Sequence, residues 1–260
     1  MKHFWQFIFV LFVLSIPFWI MGAYAKEFVN HNPMKLPISA LMTFCPLITA
    51  VFLTYQNKGK VSELLKLSFD YKKISSKKWL IPILLTMPTI AFISYFYLHI
   101  NHTIDYSTSF SVFEIVIFFI LYFIGATGEE ICWSGYATEP LQNKFGALKA
   151  SIILGSVWAI WHIVPYIQMS KTTNWILLQS LSTVLLRVIM LWIFNNTGKS
   201  VFAIILFHTM INLSPYLIPN NGVNFEPIVL AIALLFLTIL ISYLWGTNTF
   251  ANYRLKKITT

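Results

Sequence analysis

The segment FSVFEIVIFFILYFIGATGEEICWSGY, residues 110–136, decides the fold class of this chain. Its apolar run has no charged residue between Ile115 and Gly128, and a helix needs roughly 20 apolar residues to cross a bilayer. Two adjacent carboxylates, Glu129 and Glu130, end the run. An ionisable side chain inside a membrane span costs roughly 2.5–3.5 kcal/mol on insertion scales. The segment therefore predicts a membrane helix whose acidic side chains have either a partner or a chemical task.

The composition of the whole chain also indicates a membrane protein. Of the 260 residues, 57% are hydrophobic and only 10% are charged, and the mean hydropathy is +0.71. A soluble domain carries about 25% charged residues. We predict an all-α, polytopic integral membrane bundle of about eight transmembrane helices, forming a single domain over residues 1–260. The eight apolar stretches are 4–24, 36–55, 79–99, 110–128, 148–168, 174–195, 200–218 and 226–246.

The basic residues predict the orientation of this bundle. Most of the 18 lysines and arginines lie in the loop 56–78, the region 129–147, the turn 195–199 and the C-terminal segment. With eight spans these segments share one side with Met1, and cytoplasmic loops carry an excess of Lys and Arg. We therefore expect a multi-pass protein of the cell membrane with cytoplasmic N- and C-termini. The formal charge of +9 then reflects topology and contact with anionic lipid, and we expect no nucleic-acid partner.

The first 25 residues resemble a cleavable signal peptide in one respect. They combine a basic tip, an apolar stretch and small residues at Ala23 and Ala25. The apolar run is long and aromatic, however, and further spans follow it. We expect residues 1–25 to be retained as the first span.

A short set of polar residues inside the spans defines the candidate site. The set is Glu129, Glu130, His162, Arg187, His208 and Asn212. Residues four apart share a helix face, which pairs Trp158 with His162 and His208 with Asn212. The same spacing pairs Glu130 with Ser134, and Glu129 with Trp133. Glu129 and Glu130 themselves diverge by about 100° around the axis, so one can face a reaction centre while the other braces another helix.

Depth favours convergence of these groups. At about 1.5 Å per residue, His162 and His208 reach some 14–20 Å from the cytoplasmic side. The carboxylates reach a comparable depth if their helix continues to about Gln142, and we favour this longer helix. A cavity open to the cytoplasm would then hold all of these groups.

Such a set has both a catalytic and a structural interpretation. A carboxylate and an imidazole can activate water as a general base, while a second imidazole and an amide can stabilise an oxyanion. Two histidines and a glutamate also suit Zn²⁺, although the short HExxH zinc motif is absent. The structural interpretation is a salt link between the glutamates and Arg187, with histidine and asparagine as interhelical hydrogen-bonding groups worth about 1 kcal/mol each. In that interpretation Trp133, Trp158 and Trp161 serve packing.

Three sequence blocks resemble one known family. EEICWSGY, SVWAIWHIVP and NNTGKSVFAIILFHTMIN are similar, in order and spacing, to the CPBP family of CAAX proteases and bacteriocin-processing (Abi) proteins. The resemblance covers residues 112–217, the expected catalytic core. Members of the family are intramembrane endopeptidases, so the resemblance implies hydrolysis of a small peptide or lipidated protein substrate near the cytoplasmic leaflet.

The resemblance also implies roles for individual residues. Glu129 would activate water with help from His162. His208 and Asn212 would stabilise the oxyanion, and Glu130 would support these groups. The family is often labelled a metalloprotease, and a metal-free glutamate mechanism is also argued for it. Zn²⁺ therefore stays open here, with Glu129, His162 and His208 as its candidate ligands.

One position departs from the family pattern. The first block usually reads EExxxR, and Ser134 stands where that arginine belongs. We hypothesise that Arg187 supplies the cation from another helix; the alternative is a relaxed or inactive homologue. Two other function classes also remain, namely a non-catalytic bacteriocin-immunity protein that acts by binding and a proton-coupled transporter whose intramembrane acids and imidazoles relay protons.

Overall fold

The computed structural model describes residues 2–25, 31, 36–101, 111–217 and 227–254. The helices are α1 (Lys2–Tyr24), α2 (Cys45–Gln56), α3 (Val61–Lys66), α4 (Leu80–Ile100), α5 (Val112–Phe145), α6 (Ala147–Gln168), α7 (Thr173–Asn196), α8 (Val201–Leu213) and α9 (Pro227–Trp245). Tight 3₁₀ turns occupy Ile38–Phe44, Leu67–Phe69, Tyr71–Lys73, Lys77–Trp79 and Ser214–Leu217. These described ranges contain no strand, and the all-α membrane bundle predicted from the sequence is confirmed.

The apolar helices match the predicted spans closely, with one difference in length. Within the described residues, seven helical segments are long and apolar enough to cross a membrane. The predicted stretch 200–218 instead forms a shorter apolar helix, Val201–Leu217. Its core, α8, packs against α4, α5 and α7 and buries side chains all around its axis. Because α8 is enclosed by other helices, it need not match the bilayer thickness.

Helix α5 is a single long helix with a π-helical segment. It is α-helical from Val112 to Glu130, π-helical over Ile131–Ala137 and α-helical again over Thr138–Phe145. The prediction that this helix continues past the carboxylates to about Gln142 is therefore confirmed. In the π segment the Thr138 hydroxyl donates to the Trp133 carbonyl, five residues earlier, at 2.8 Å. Single π-helical turns are frequent at functional sites, and this one directly follows Glu129 and Glu130.

Two glycines allow the helices around the carboxylates to approach closely. A Cβ added to Gly155 of α6 would lie 2.9 Å from the Val184 Cα and 3.1 Å from the Arg187 Cβ of α7. A Cβ on Gly128 of α5 would lie 2.9 Å from the carbonyl oxygen of Thr43. Small residues at helix contacts are typical of membrane proteins, because they let backbones approach. The two contacts bring Arg187 and Thr43 close to the acidic pair.

The lysine-rich loop 56–78 caps the helix that carries His208. Asp70 Oδ1 accepts hydrogen bonds from Ser200 Oγ at 2.8 Å and from the Phe202 amide at 3.0 Å, and Asp70 Oδ2 accepts one from the Val201 amide at 3.2 Å. The first amides of a helix have no partner within the helix, and its positive end favours an acidic group. The loop therefore fixes the start of α8 in addition to any role in topology.

Removing this cap should weaken the bundle. We expect Asp70→Ala to lower the free energy of unfolding by about 1–2 kcal/mol, since it leaves two helix-terminal amides and a hydroxyl without their acceptor. Thermal unfolding of the detergent-solubilised protein measures the change. Glu63→Ala is the matched control, because Glu63 makes an exposed ion pair with Lys60 of the kind that contributes at most about 1 kcal/mol. Equal unfolding midpoints for the two variants would contradict the assignment of the cap.

Candidate functional site

A fully buried ion pair lies at the centre of the site. Arg187 Nη1 donates to Glu130 Oε2 at 3.0 Å and Arg187 Nη2 donates to Glu130 Oε1 at 3.1 Å, and both side chains are 0% exposed. The Ser134 hydroxyl donates to Glu130 Oε2 at 2.5 Å and lies 3.3 Å from Arg187 Nη1. The spacing argument that paired Glu130 with Ser134 therefore matches the structure. The paired, two-point geometry is the strong form of an arginine–carboxylate contact.

Glu129 has a different environment from its neighbour. Thr43 Oγ1 donates to Glu129 Oε1 at 3.0 Å, and Trp158 Nε1 donates to Glu129 Oε2 at 2.8 Å. The side chain is 5% exposed. Its two partners are neutral donors, so Glu129 shares no direct ion pair with Arg187. A carboxylate offers about four acceptor positions, and two of them remain for a further donor such as water.

The expected pairing of Glu129 with Trp133 does not occur. Trp133 is fully buried, and its Nε1 has no hydrogen-bond partner among the described residues. Its ring instead packs edge-on against Phe7 and Trp161. Spacing alone does not decide contact: it matches the bond between Ser134 and Glu130 across the same π-helical segment, whereas Glu129 meets its donors from Thr43 and Trp158.

The two imidazoles make contacts that define their tautomers. His162 Nδ1 lies 2.9 Å from the Trp158 carbonyl oxygen, and His208 Nδ1 lies 2.9 Å from Glu130 Oε1. A carbonyl oxygen only accepts, and Glu130 is already the acceptor for Arg187. We therefore assign the Nδ1 proton to both rings from their partners. Nε2 of each ring is free of these contacts, and in a neutral ring it carries a lone pair.

Trp158 joins the predicted groups into one cluster. Besides its bond to Glu129, its ring makes edge contacts with His162 at 5.6 Å and His208 at 5.2 Å. The guanidinium of Arg187 lies over the same ring, with Cζ 4.5 Å from its centroid. The interpretation of Trp158 as a packing or interfacial residue was therefore incomplete, since its indole also donates to Glu129. Its spacing of four residues before His162 was the one sequence signal for this contact.

Asn212 lies less centrally than the other predicted residues. It is half-buried on α8, one turn beyond His208. Within the part of the chain that the structure describes, no hydrogen bond joins it to the carboxylates or the imidazoles. Thr43, in contrast, contacts Glu129 from 86 residues earlier, and no local pattern in the sequence marks it.

The donor groups of the cluster do not form a zinc site. Among the described residues, no three His, Cys, Asp or Glu side chains lie close enough to hold one metal ion. Both oxygens of Glu130 are engaged by Arg187. Glu129, His162 and His208 therefore do not fit as a ready-made ligand set, and the chemistry derived below uses no metal.

Comparison with known proteins shows which family the segment that carries most of this cluster resembles. Residues 111–214 match the model of the type II CAAX prenyl endopeptidases, Rce1-like. A curated relative, the CAAX prenyl protease 2 of Methanococcus maripaludis, is 28% identical over 231 residues, covering 80% of this chain and 82% of that protein. Both matches support a likeness to the CPBP family. The resemblance drawn from the three sequence blocks is thereby confirmed.

For this chain, the matches support a membrane-embedded peptidase as the general class. The seven long apolar helices agree with a multi-pass membrane protein. The same matches give no support to zinc dependence or bacteriocin immunity. The roles of individual residues and the side of the membrane that each terminus faces stay predictions.

Proposed function

We propose that this protein is an endopeptidase that hydrolyses a peptide bond of a small or lipid-modified peptide within the membrane. The observation that carries the proposal is the convergence of Glu129, His162 and His208 on Trp158, from three different helices. The matched relative is named a prenyl protease, which supports a peptide with an attached isoprenyl or similar lipid chain as the substrate class. Hydrolysis takes place near the cytoplasmic leaflet, with both termini in the cytoplasm.

Glu129 and His162 activate the water molecule. Glu129 keeps free acceptor positions beside the Trp158 and Thr43 bonds, and neutral His162 has a lone pair on Nε2. Two acceptors on neighbouring helices can hold a water by its two O–H groups and orient its oxygen for attack. Glu129 takes the proton as the water oxygen bonds to the substrate carbonyl carbon, and it returns that proton to the amide nitrogen as the C–N bond breaks. A positioned general base of this kind contributes about 10²–10⁴-fold to a rate.

His208 and Asn212 stabilise the negative charge that develops on the carbonyl oxygen. Since Nδ1 of His208 donates to Glu130, Nε2 of His208 is a donor only when the ring is protonated. In that protonated form, His208 presents the Nε2–H to the carbonyl oxygen. The Asn212 amide supplies the second donor once substrate is bound. Donors fixed in advance in a site shielded from water act strongly, because they need no reorganisation during the reaction.

The buried setting explains why the cluster suits hydrolysis in a membrane. Glu130, Arg187 and His208 are at most 2% exposed, so their hydrogen bonds are little weakened by solvent. Charged groups held in this way keep their positions while a peptide and one water enter. A transporter that relays protons and a binding protein could share such groups, but they would leave the peptide bond intact.

A cleavage assay tests the proposal. The purified protein is reconstituted into vesicles of phosphatidylglycerol and phosphatidylcholine and incubated with a farnesylated C-terminal peptide or its unmodified twin. We expect mass spectrometry to show cleavage at an internal bond, with a higher kcat/KM for the farnesylated peptide. Peptides that bind but stay intact would contradict the proposal and indicate a binding protein. Accumulation of intact peptide inside the vesicles under a proton gradient would contradict it in favour of transport.

A further inference from the structure

Arg187 contacts both halves of the cluster. It is the one charged residue of α7, it is fully buried, and its two Nη atoms bind Glu130 in parallel. Its guanidinium also lies over the ring of Trp158, with Cζ 4.5 Å from the ring centroid, and Trp158 is the donor to Glu129. The same side chain therefore touches the partner of His208 on one side and the partner of Glu129 on the other.

We infer that Arg187 is a positioning residue that holds both carboxylates in one fixed arrangement. One is Glu129, the general base, and the other is Glu130, which orients His208. The inference rests on the proposed function. Through Glu130, Arg187 sets the place of the acceptor that orients His208. Through Trp158, it sets the direction of the indole N–H that orients Glu129. Arg187 touches no reacting atom itself.

The geometry requires a guanidinium and not merely a positive charge. A guanidinium is planar, forms two parallel hydrogen bonds to a carboxylate and stacks on an aromatic face at the same time. An ammonium is a compact point charge and cannot make the two-point contact to Glu130 while also covering the Trp158 ring. A cation over an aromatic ring is attracted by the negative face of that ring, so this contact holds Arg187 in addition to the ion pair.

Ser134 marks a second position from which the same guanidinium can be supplied. Its hydroxyl lies 2.5 Å from Glu130 Oε2 and 3.3 Å from Arg187 Nη1, so it borders the space that the guanidinium occupies. A small side chain at 134 leaves that space to Arg187, which approaches because Gly155 lets α7 lie close to α6. An arginine at 134 and a small side chain at 187 should fill the same space from α5.

Four variants test this inference. In Arg187→Ala we expect kcat to fall about 100-fold with KM changed less than about threefold, the pattern of misplaced catalytic groups. Arg187→Lys should recover little of the loss. The double variant Ser134→Arg with Arg187→Ala should regain most of the lost kcat and most of the lost thermal stability. Arg254→Ala is the control, because Arg254 is exposed and far along the chain from the cluster, and it should behave as wild type.

The results separate this inference from the proposed function. Wild-type protein that cleaves no peptide contradicts the proposed function, and the unfolding midpoints then still test the inference. Wild-type kcat in Arg187→Ala would overturn it, and so would Arg187→Lys with full activity. A double variant that recovers neither kcat nor unfolding midpoint relative to Arg187→Ala would also overturn it, since position 134 would then be unable to supply the group.

Discussion

Replacing Glu129 with glutamine is expected to reduce kcat for peptide hydrolysis by about 10²–10⁴-fold. The glutamine side chain has the same shape, and its carbonyl oxygen can still accept one of the bonds that Trp158 and Thr43 now donate. It cannot take up a proton from water, however. KM should change little because the substrate peptide still meets the same donors. Single-turnover cleavage of the farnesylated peptide, followed by mass spectrometry, measures the effect on the chemical step.

Glu114→Gln is the matched control for this experiment. Glu114 lies on the same helix, α5, but at its exposed first turn, where its backbone amide donates to Ser111 Oγ. The control therefore makes the same chemical change outside the cluster, and its kcat should equal that of the wild type. A Glu129→Gln variant that cleaves at the wild-type rate would remove Glu129 as the base.

The parts of the fold that the sequence predicted depend on composition along one helix. Each long helix was recognised because the bilayer demands about 20 apolar residues, and each polar site residue because lipid makes it costly. Neither property needs knowledge of how helices cross. The prediction that α5 continues past Glu129 came instead from depth, since the longer helix lets the carboxylates and the two imidazoles share one cavity.

Contacts between helices were harder to predict because they depend on rotation and crossing geometry. The bond from Trp158 to Glu129 joins α6 to α5. The spacing that paired Trp133 with Glu129 leads to no hydrogen bond, because Trp133 packs against Phe7 and Trp161 instead. Thr43 reaches Glu129 because Gly128 lets the backbones approach. The structural interpretation, a salt link between the glutamates and Arg187, matches the ion pair for Glu130, since a charge in the membrane needs an acidic partner. That Arg187 replaces the missing motif arginine stays a hypothesis.

Removing one partner of the buried ion pair should have the largest effect on stability. We expect Glu130→Gln to lower the free energy of unfolding by about 3–5 kcal/mol, because the guanidinium of Arg187 stays fully buried without its counter-charge. Glu139→Gln is the control on the same helix. Glu139 pairs with Lys199 where both side chains are more than 40% exposed, so its loss should cost less than about 1 kcal/mol. Thermal or chemical denaturation of both variants in detergent gives the two unfolding free energies to compare.

A double variant separates the stability of the pair from its role in catalysis. Apolar side chains of similar volume often replace a buried ion pair without loss of stability, so Glu130→Met with Arg187→Met should recover most of the unfolding free energy lost in Glu130→Gln. It should not recover peptide cleavage, because His208 then lacks the carboxylate that orients its Nδ1 proton and Trp158 lacks the guanidinium that lies over its ring. A stable double variant with wild-type kcat would mean that the ion pair only holds α5 and α7 together. A double variant that is stable but inactive would show that the ion pair also positions the groups that carry out hydrolysis.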